Sequence, residues 1–240
     1  MCHFPPIVVF AYLSKGESRG LVPRNKRQSF LMEPAEIQRF FTRLDGDYLF
    51  ARWGRPIVPV VFGVDDATLS VVKGAIEAVV TMAGHSMSDT DPELGGNFLW
   101  FFFRDWGDLL ETPDLDKLVP DLLSLVTRLQ GEGANRYRLF RFDEGGAIKA
   151  VFTFLQMDES LSQIPAEDLA LAEAALGSLL WAEEAFAVKG PLGQMGEQIV
   201  LRPDVAAVIR AAYDPVMPDV ANDPSHALRL AARVGALHEP

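Results

Sequence analysis

The 240-residue chain carries 33 acidic and 22 basic side chains, and this formal net charge of −11 repels phosphate backbones and argues against nucleic acid as the main partner. Hydrophobic residues make up 49% of the chain and charged residues 23%, so a full core can be buried and global disorder is not indicated. The one cysteine, Cys2, excludes an internal disulfide framework and a Cys-x-x-Cys site.

The first 32 residues are predicted to form a basic extension of this acidic chain. Residues 4–13 are apolar, but two prolines interrupt them, no basic residues precede them and no cleavage site follows. They make a poor signal peptide and cannot span a membrane, so we predict an edge strand or an arm packed on the domain, and the cytoplasm as location. A solvated tail, or a docking arm for an anionic partner or another copy, is predicted from five basic residues: Lys15, Arg19, Arg24, Lys26 and Arg27.

Residues 33–240 are predicted to form one domain that begins with a helix and an edge strand. Pro34 favours a helix to about Leu44, because a proline in the first turn loses no helical hydrogen bond. Residues 55–63 predict a strand at the edge of a sheet, because the two prolines within this segment cannot donate hydrogen bonds to a neighbouring strand.

A second helix and a central strand are predicted next. Asp65 or Asp66 caps a helix whose apolar residues recur at helical spacing until about Gly84. After a polar loop over 85–97, the run Phe98–Phe103 is apolar without alternation. Such a run predicts a strand that is covered on both faces.

The remaining pattern predicts a hairpin followed by helices. Residues 115–129 predict a helix interrupted at Pro120, and residues 137–142 with 147–155 predict a β-hairpin. The C-terminal third is predicted to be helical, with helices over residues 165–188, 203–212 and 224–234. This order predicts an α+β fold with a mixed β-sheet packed with helices.

Glu183 is the main candidate for chemistry. It follows three apolar leucines by three, four and seven residues, so a helix over 165–188 would place its carboxylate on the apolar face. A buried carboxylate is costly unless it is paired or protonated. Glu183 is therefore predicted to be a functional acid, or else the partner of an Arg or Lys, or to leave the core at its rim.

The acidic loop is a candidate for a hard cation such as calcium. Asp89, Asp91 and Glu93 alternate along it, as oxygen ligands can. Leu94 and Trp100, however, occupy the positions where the EF-hand pattern needs glycine and glutamate. We therefore predict a solvated loop.

No complete catalytic or cofactor motif is present. The histidines His3, His85, His226 and His238 form no pair within four residues, as zinc sites usually have. The patterns GxSxG, GxGxxG and GxxxxGK[ST] are absent, and the glycine-rich segment 190–196 follows a predicted helix and predicts a turn. No cofactor is expected.

Four short motifs over about residues 50–235 resemble an uncharacterised bacterial domain family, often found in predicted exported proteins or lipoproteins. They are Arg52-Trp53 before Pro56 and a strand, Gly84 with Asn97 before an apolar strand, Glu183-Glu184, and Tyr213-Asp214-Pro215. The family's Glu-Glu-x-x-Gln helix is similar to a decayed HExxH helix, so the resemblance implies a zincin-like (metallopeptidase-like) fold. It also implies an exported location.

On this resemblance the two zincin histidine positions fall on Glu183 and Ala187, and the glutamate position falls on Glu184. Ala187 cannot bind a metal, so the resemblance implies no zinc chemistry. Our first hypothesis is a non-catalytic zincin-like domain with a binding or structural role, whose partner is a protein, a small molecule or a second copy of the chain. The alternative is a metal-independent hydrolase that uses Glu183 or Glu184 with Asp214; an open pocket at Glu183 would favour it, and a closed ion pair would not.

Overall fold

The computed structural model describes residues 32–237 and the backbone of residues 7–12. The strands are β1 (Ile7–Tyr12), β2 (Phe50–Ala51), β3 (Pro59–Phe62), β4 (Phe98–Phe103), β5 (Arg136–Phe142), β6 (Ile148–Gln156), β7 (Leu192–Met195), β8 (Gln198–Leu201) and β9 (Val220–Ala221). The helices are α1 (Pro34–Arg39), α2 (Asp66–Ala83), α3 (Leu115–Leu118), α4 (Leu122–Glu132), α5 (Glu159–Ser162), α6 (Ala166–Ser178), α7 (Pro203–Ala212) and α8 (Ser225–Ala236), with a 3₁₀ helix over Trp106–Glu111.

Five strands form the main sheet in the order β1-β5-β6-β4-β3. β3, β4 and β6 run parallel, whereas β5 is antiparallel to both of its neighbours, β6 and β1. Helix α2 connects the parallel strands β3 and β4, and a tight turn connects β5 to β6, as each kind of pairing requires. The predicted α+β fold with a mixed sheet is thus confirmed.

The sheet separates two cores. On one side, which we call the α6 face, Phe98 and Trp100 pack in the core formed with α2, α6, α7 and α8. On the other side, the α4 face, Phe101 and Phe103 pack with the 3₁₀ helix, α3 and α4. Because both faces of β4 are covered, its sequence is apolar without alternation, and the predicted central strand is confirmed.

Several other predicted elements are confirmed. α2 is capped by Asp65, whose side chain accepts a hydrogen bond from the Thr68 N–H, and it ends at Gly84 with a left-handed backbone. The interruption at Pro120 separates α3 from α4, and the β5–β6 hairpin and α7 form where they were predicted. β1 confirms the edge strand predicted within residues 4–13, whereas the five basic residues of the extension lie outside the described residues.

The predicted helix over 165–188 is wrong beyond Ser178. α6 ends there because the backbone of Leu179 and Leu180 pairs with that of Ala51 and Arg52, which an α-helix cannot do. The side chains of Leu179, Leu180 and Phe186 remain buried, so their spacing resembles a helical face although the chain has left the helix.

Three other predictions are wrong in detail. α1 ends at Arg39, and Leu44, where the helix was predicted to end, is 70% exposed. The strand predicted over 55–63 is confined to β3, at the sheet edge as expected. The segment 190–196, predicted as a turn, contains β7, which pairs with β8 in a hairpin.

Of the helices in the described residues, none is both long and apolar enough to cross a membrane.

Small residues allow α6 to lie close to the sheet. A Cβ atom at Gly177 would come within 2.4 Å of the Phe98 ring, a distance that side chains do not tolerate. Alanines occupy most neighbouring positions on the helix, and α6 is buried from Leu169 onward except at Leu171. The close approach therefore depends on glycine at position 177.

α6 also carries a carboxylate into the core. Glu173 is fully buried and forms an ion pair with Arg138 of β5, and its Oε1 lies 3.7 Å from Nε of Arg136 on the same strand. Arg138, Thr153 and Trp100 occupy one row across β5, β6 and β4. The ion pairs thus connect α6 to the antiparallel part of the sheet.

Replacing Glu173 by glutamine should destabilise the protein by about 3 kcal/mol, because two arginines would then lack their compensating charge in the interior. Urea unfolding followed by circular dichroism would measure this loss. Glu132→Gln is the matched control: Glu132 pairs with Arg128 on the exposed surface of α4, and its loss should change stability by less than about 0.5 kcal/mol. Equal effects of the two substitutions would contradict the assigned role of Glu173.

A buried histidine anchors α8. His226 Nδ1 lies 2.8 Å from the Tyr48 hydroxyl, and the imidazole ring centroid is 4.3 Å from that of Phe50. Burial, with a smaller effect from the nearby positive charge of Arg229, lowers the pKa of His226 to about 4. The imidazole is therefore neutral in the folded protein at neutral pH.

The free energy of unfolding should fall as the pH falls below the ordinary histidine value, because the unfolded chain then binds a proton that folded His226 does not. The stabilisation is complete above a pH of about 6.5, and between about pH 7 and pH 5 the loss should be on the order of 2 kcal/mol. Urea unfolding at several pH values would measure it. His226→Asn, with no titratable group, should show a flatter pH dependence, and an unchanged slope would contradict this assignment.

Candidate functional site

Glu183 is held in an ion pair. It lies in the turn that follows α6, where its carboxylate binds the Arg43 guanidinium. The Glu183 side chain is 25% exposed and that of Arg43 is 11% exposed. The arrangement therefore matches the ion-pair alternative, and the helical face that made Glu183 a candidate acid does not exist.

The other two acids of the predicted hydrolase lie apart from this pair. Glu184 is exposed to solvent, and Asp214 Oδ2 lies 3.6 Å from Nη1 of Arg233 on α8. Asp214 also accepts a hydrogen bond from the Val216 N–H. Within residues 32–237, no hydrogen bond or ion pair joins Glu183 or Glu184 to Asp214, so the structure does not assemble the three acids into one site.

The acidic loop is organised around Asp91. Its Oδ1 accepts hydrogen bonds from the N–H groups of Glu93 and Leu94, and its Oδ2 accepts one from the Asn97 amide. Burial of Asp91 opposes its charged form, but these hydrogen bonds and the one from Arg55 outweigh burial and lower its pKa. Asp91 therefore shapes the loop.

The candidate cation ligands do not converge. Glu93 binds Arg55 and Lys149, and Asp89 is exposed. The part of the chain that the structure describes contains no group of three His, Cys, Asp or Glu side chains that could hold a metal ion. Positive side chains thus pair with Asp91 and Glu93, two of the three carboxylates that were candidates for binding a cation.

The first and last motifs of the resemblance meet at the carboxyl end of α6. A helix end leaves carbonyl groups without helical partners, and here they are buried. Trp53 Nε1 donates to the Gly177 carbonyl over 2.9 Å, and the Tyr213 hydroxyl donates to the Ser178 carbonyl over 2.7 Å. The polar atoms of two aromatic side chains therefore satisfy the helix end from distant parts of the sequence.

A polar layer covers these aromatic side chains. The Arg52 guanidinium lies 5.2 Å from the centre of the Tyr213 ring and binds Asp219 over 2.7 Å. The His85 ring lies 5.0 Å from the Tyr213 ring, and His85 Nε2 donates to the Arg55 carbonyl over 2.8 Å. Because a carbonyl only accepts, Nε2 carries the proton, and burial lowers the pKa of His85, which favours its neutral form.

This cluster has no room for a substrate. The cavity next to His85, Tyr213 and Ser178 has a volume of about 10 Å³, which is at the lower limit for one water molecule. The Tyr213 hydroxyl connects the C-terminal segment to α6, and the Arg52–Asp219 ion pair connects it to the segment before β3. We therefore interpret the cluster as structural.

A groove of about 710 Å³ offers the space that the cluster lacks. It lies on the α4 face at the carboxyl ends of β3 and β4, where Phe62 and Phe103 end their strands. Parallel sheets bind ligands outside the carboxyl ends of their strands, and small-molecule sites have volumes of about 300 to 1,000 Å³. The groove thus has both the position and the size of a binding site.

The walls of the groove are apolar, with a few polar groups at one end. Phe62 is 45% exposed and stacks on Phe101, with ring centroids 4.9 Å apart. Asp108 Oδ2 accepts hydrogen bonds from the N–H groups of Arg104 and Asp105 at the start of the 3₁₀ helix. No ion pair joins the Arg104 guanidinium to the described residues, which leaves one available cation in the lining.

No pattern in the sequence indicates the groove. Its residues form no spaced motif, and the phenylalanines of β4 predict only a buried strand. These side chains are exposed because the 3₁₀ helix and α3 are short and leave part of the α4 face uncovered.

Comparison of the chain with protein-family models, curated proteins and solved structures gives no match.

Tyr213→Phe should cost about 2 kcal/mol of stability, because it leaves the buried Ser178 carbonyl without its hydrogen-bond donor. Tyr137→Phe is the matched control, since Tyr137 is also buried but no hydrogen bond joins its hydroxyl to the described residues. Urea unfolding of both variants would measure the difference. Similar losses from the two substitutions would show that the Tyr213 hydroxyl does not hold the end of α6.

Proposed function

We propose that this protein is a non-catalytic binding domain and that the groove at the carboxyl ends of β3 and β4 holds a small-molecule ligand. The observation that supports the proposal is the groove itself, a cavity of about 710 Å³ with apolar walls and few polar groups. Pockets of this composition bind small molecules, with the walls supplying affinity and the polar groups orientation.

The exposure of the groove walls adds support. Phe62 and Leu118 are 45% and 36% exposed, although burying them would be favourable. Large apolar side chains that gather at one exposed place, beside polar groups, are typical of interaction sites. A ligand in the groove would remove these side chains from water without any change in the fold.

The catalytic alternative has less support. A hydrolase that used Glu183 or Glu184 with Asp214 would need these carboxylates to face one opening, whereas Arg43 holds Glu183 and Arg233 lies beside Asp214. The zincin-like form of the expectation would also need Glu183 and Glu184 on a helix, and α6 ends before them. We therefore propose binding without the zincin-like part.

Leu118→Asp should weaken binding of a neutral apolar probe, N-phenylnaphthylamine, about tenfold, because the new carboxylate loses water when the probe fills the groove. The fluorescence increase of the probe on titration with protein would give the affinity. Leu123→Asp is the matched control: Leu123 lies on α4, is 66% exposed and does not line the groove, so its variant should bind as the unchanged protein does.

Two results would contradict the proposal. One is the absence of saturable probe binding by the unchanged protein. The other is equal affinity of Leu118→Asp and the unchanged protein, which would place the probe elsewhere. Circular dichroism of both variants checks that each remains folded.

A further inference from the structure

We infer that the ligand of the groove is an anionic amphiphile, an aryl-alkyl carboxylate whose apolar body lies against the phenylalanines and whose carboxylate pairs with Arg104. This inference rests on the proposed function of the groove and adds the chemical class of the ligand. It follows from the charge of the lining and from the chemistry of the walls.

The charge of the lining depends on Arg104. Arg104 is the one basic residue among the residues that line the groove, and Asp108 is the one acidic residue. Asp108 Oδ2 already accepts two backbone hydrogen bonds, whereas the Arg104 guanidinium is in no ion pair with the described residues. Because backbone hydrogen bonds hold the Asp108 carboxylate in place, the Arg104 guanidinium is the charged group of the lining that is left to bind a ligand, and a carboxylate is the group that fits it.

The negative net charge of the protein restricts where an anionic ligand can bind, and this gives Arg104 its importance. With a formal net charge of −11, the surface as a whole repels anions, so an anion is held only where a local cation outweighs that field. An arginine beside apolar walls provides such a place. A cationic ligand would be attracted by the negative charge of the whole protein, but the Arg104 guanidinium would repel it in the groove.

The walls favour an aryl-alkyl body. Phe62, Phe101 and Phe103 line the groove from the two strands, and Met157 also lines it. Phenylalanine rings contact another ring by stacking or edge-to-face packing, and methionine sulfur also packs well against aromatic rings. An aromatic ring with a short alkyl chain thus fits the walls and can extend its carboxylate to Arg104.

Isothermal titration calorimetry of the full chain with three probes of the same body tests the inference. Hydrocinnamate is anionic, hydrocinnamyl alcohol is neutral and phenylpropylamine is cationic. We expect hydrocinnamate to bind most tightly, roughly fivefold more tightly than the alcohol, and we expect added salt to reduce this preference. Arg104→Gln should remove the preference and leave the affinity for the alcohol unchanged.

Arg210→Gln is the matched control, because Arg210 is exposed on α7, which packs on the α6 face, and its variant should keep the preference for hydrocinnamate. Equal affinity of the unchanged protein for hydrocinnamate and the alcohol, or tightest binding of the amine, would overturn the inference while the groove remained a binding site. Loss of the preference in Arg210→Gln would also overturn it. If neither these probes nor N-phenylnaphthylamine bound, the proposed function would fail as well.

Discussion

The burial of α6 against the sheet is the constraint on which the rest of the structure depends. A helix with water on one side can leave its last carbonyl groups and any carboxylate to the solvent, but α6 has no such side along most of its length. Trp53 and Tyr213 therefore donate to its end, and the arginines of β5 compensate Glu173. These contacts position the segment before β3, the antiparallel strands and the C-terminal helices relative to one another.

The two faces of the sheet differ in how completely they are covered, and this difference decides where a ligand can bind. On the α6 face, where α6 packs closely at Gly177, the cavity beside Tyr213 has a volume of about 10 Å³. On the α4 face the 3₁₀ helix and α3 are too short to cover the ends of β3 and β4, and the groove remains open. The α6 face is therefore closed by packing and polar contacts, whereas the α4 face leaves apolar side chains exposed.

The candidate acids show why apolar spacing alone misplaced the site. Leu179, Leu180 and Phe186 continue the spacing of α6 and are buried, so the sequence pattern does not reveal that the chain leaves the helix at Ser178. Backbone pairing with Arg52, which is far away in the sequence, ends the helix. As a result, Glu183 forms an ion pair with Arg43. The residues that line the groove around Arg104 form no spaced motif, so the sequence does not indicate the groove.

The sequence by itself determined the mixed α+β architecture, because caps, turns and apolar periodicity are local: Asp65 and Gly84 bound α2, and the apolar run of β4 requires cover on both faces. The edge positions of β1 and β3 followed in the same way. Only the tertiary structure decided where α6 ends, which charges pair and where the surface stays open. Those outcomes depend on contacts between residues far apart in the chain, whose free energies outweigh local preference.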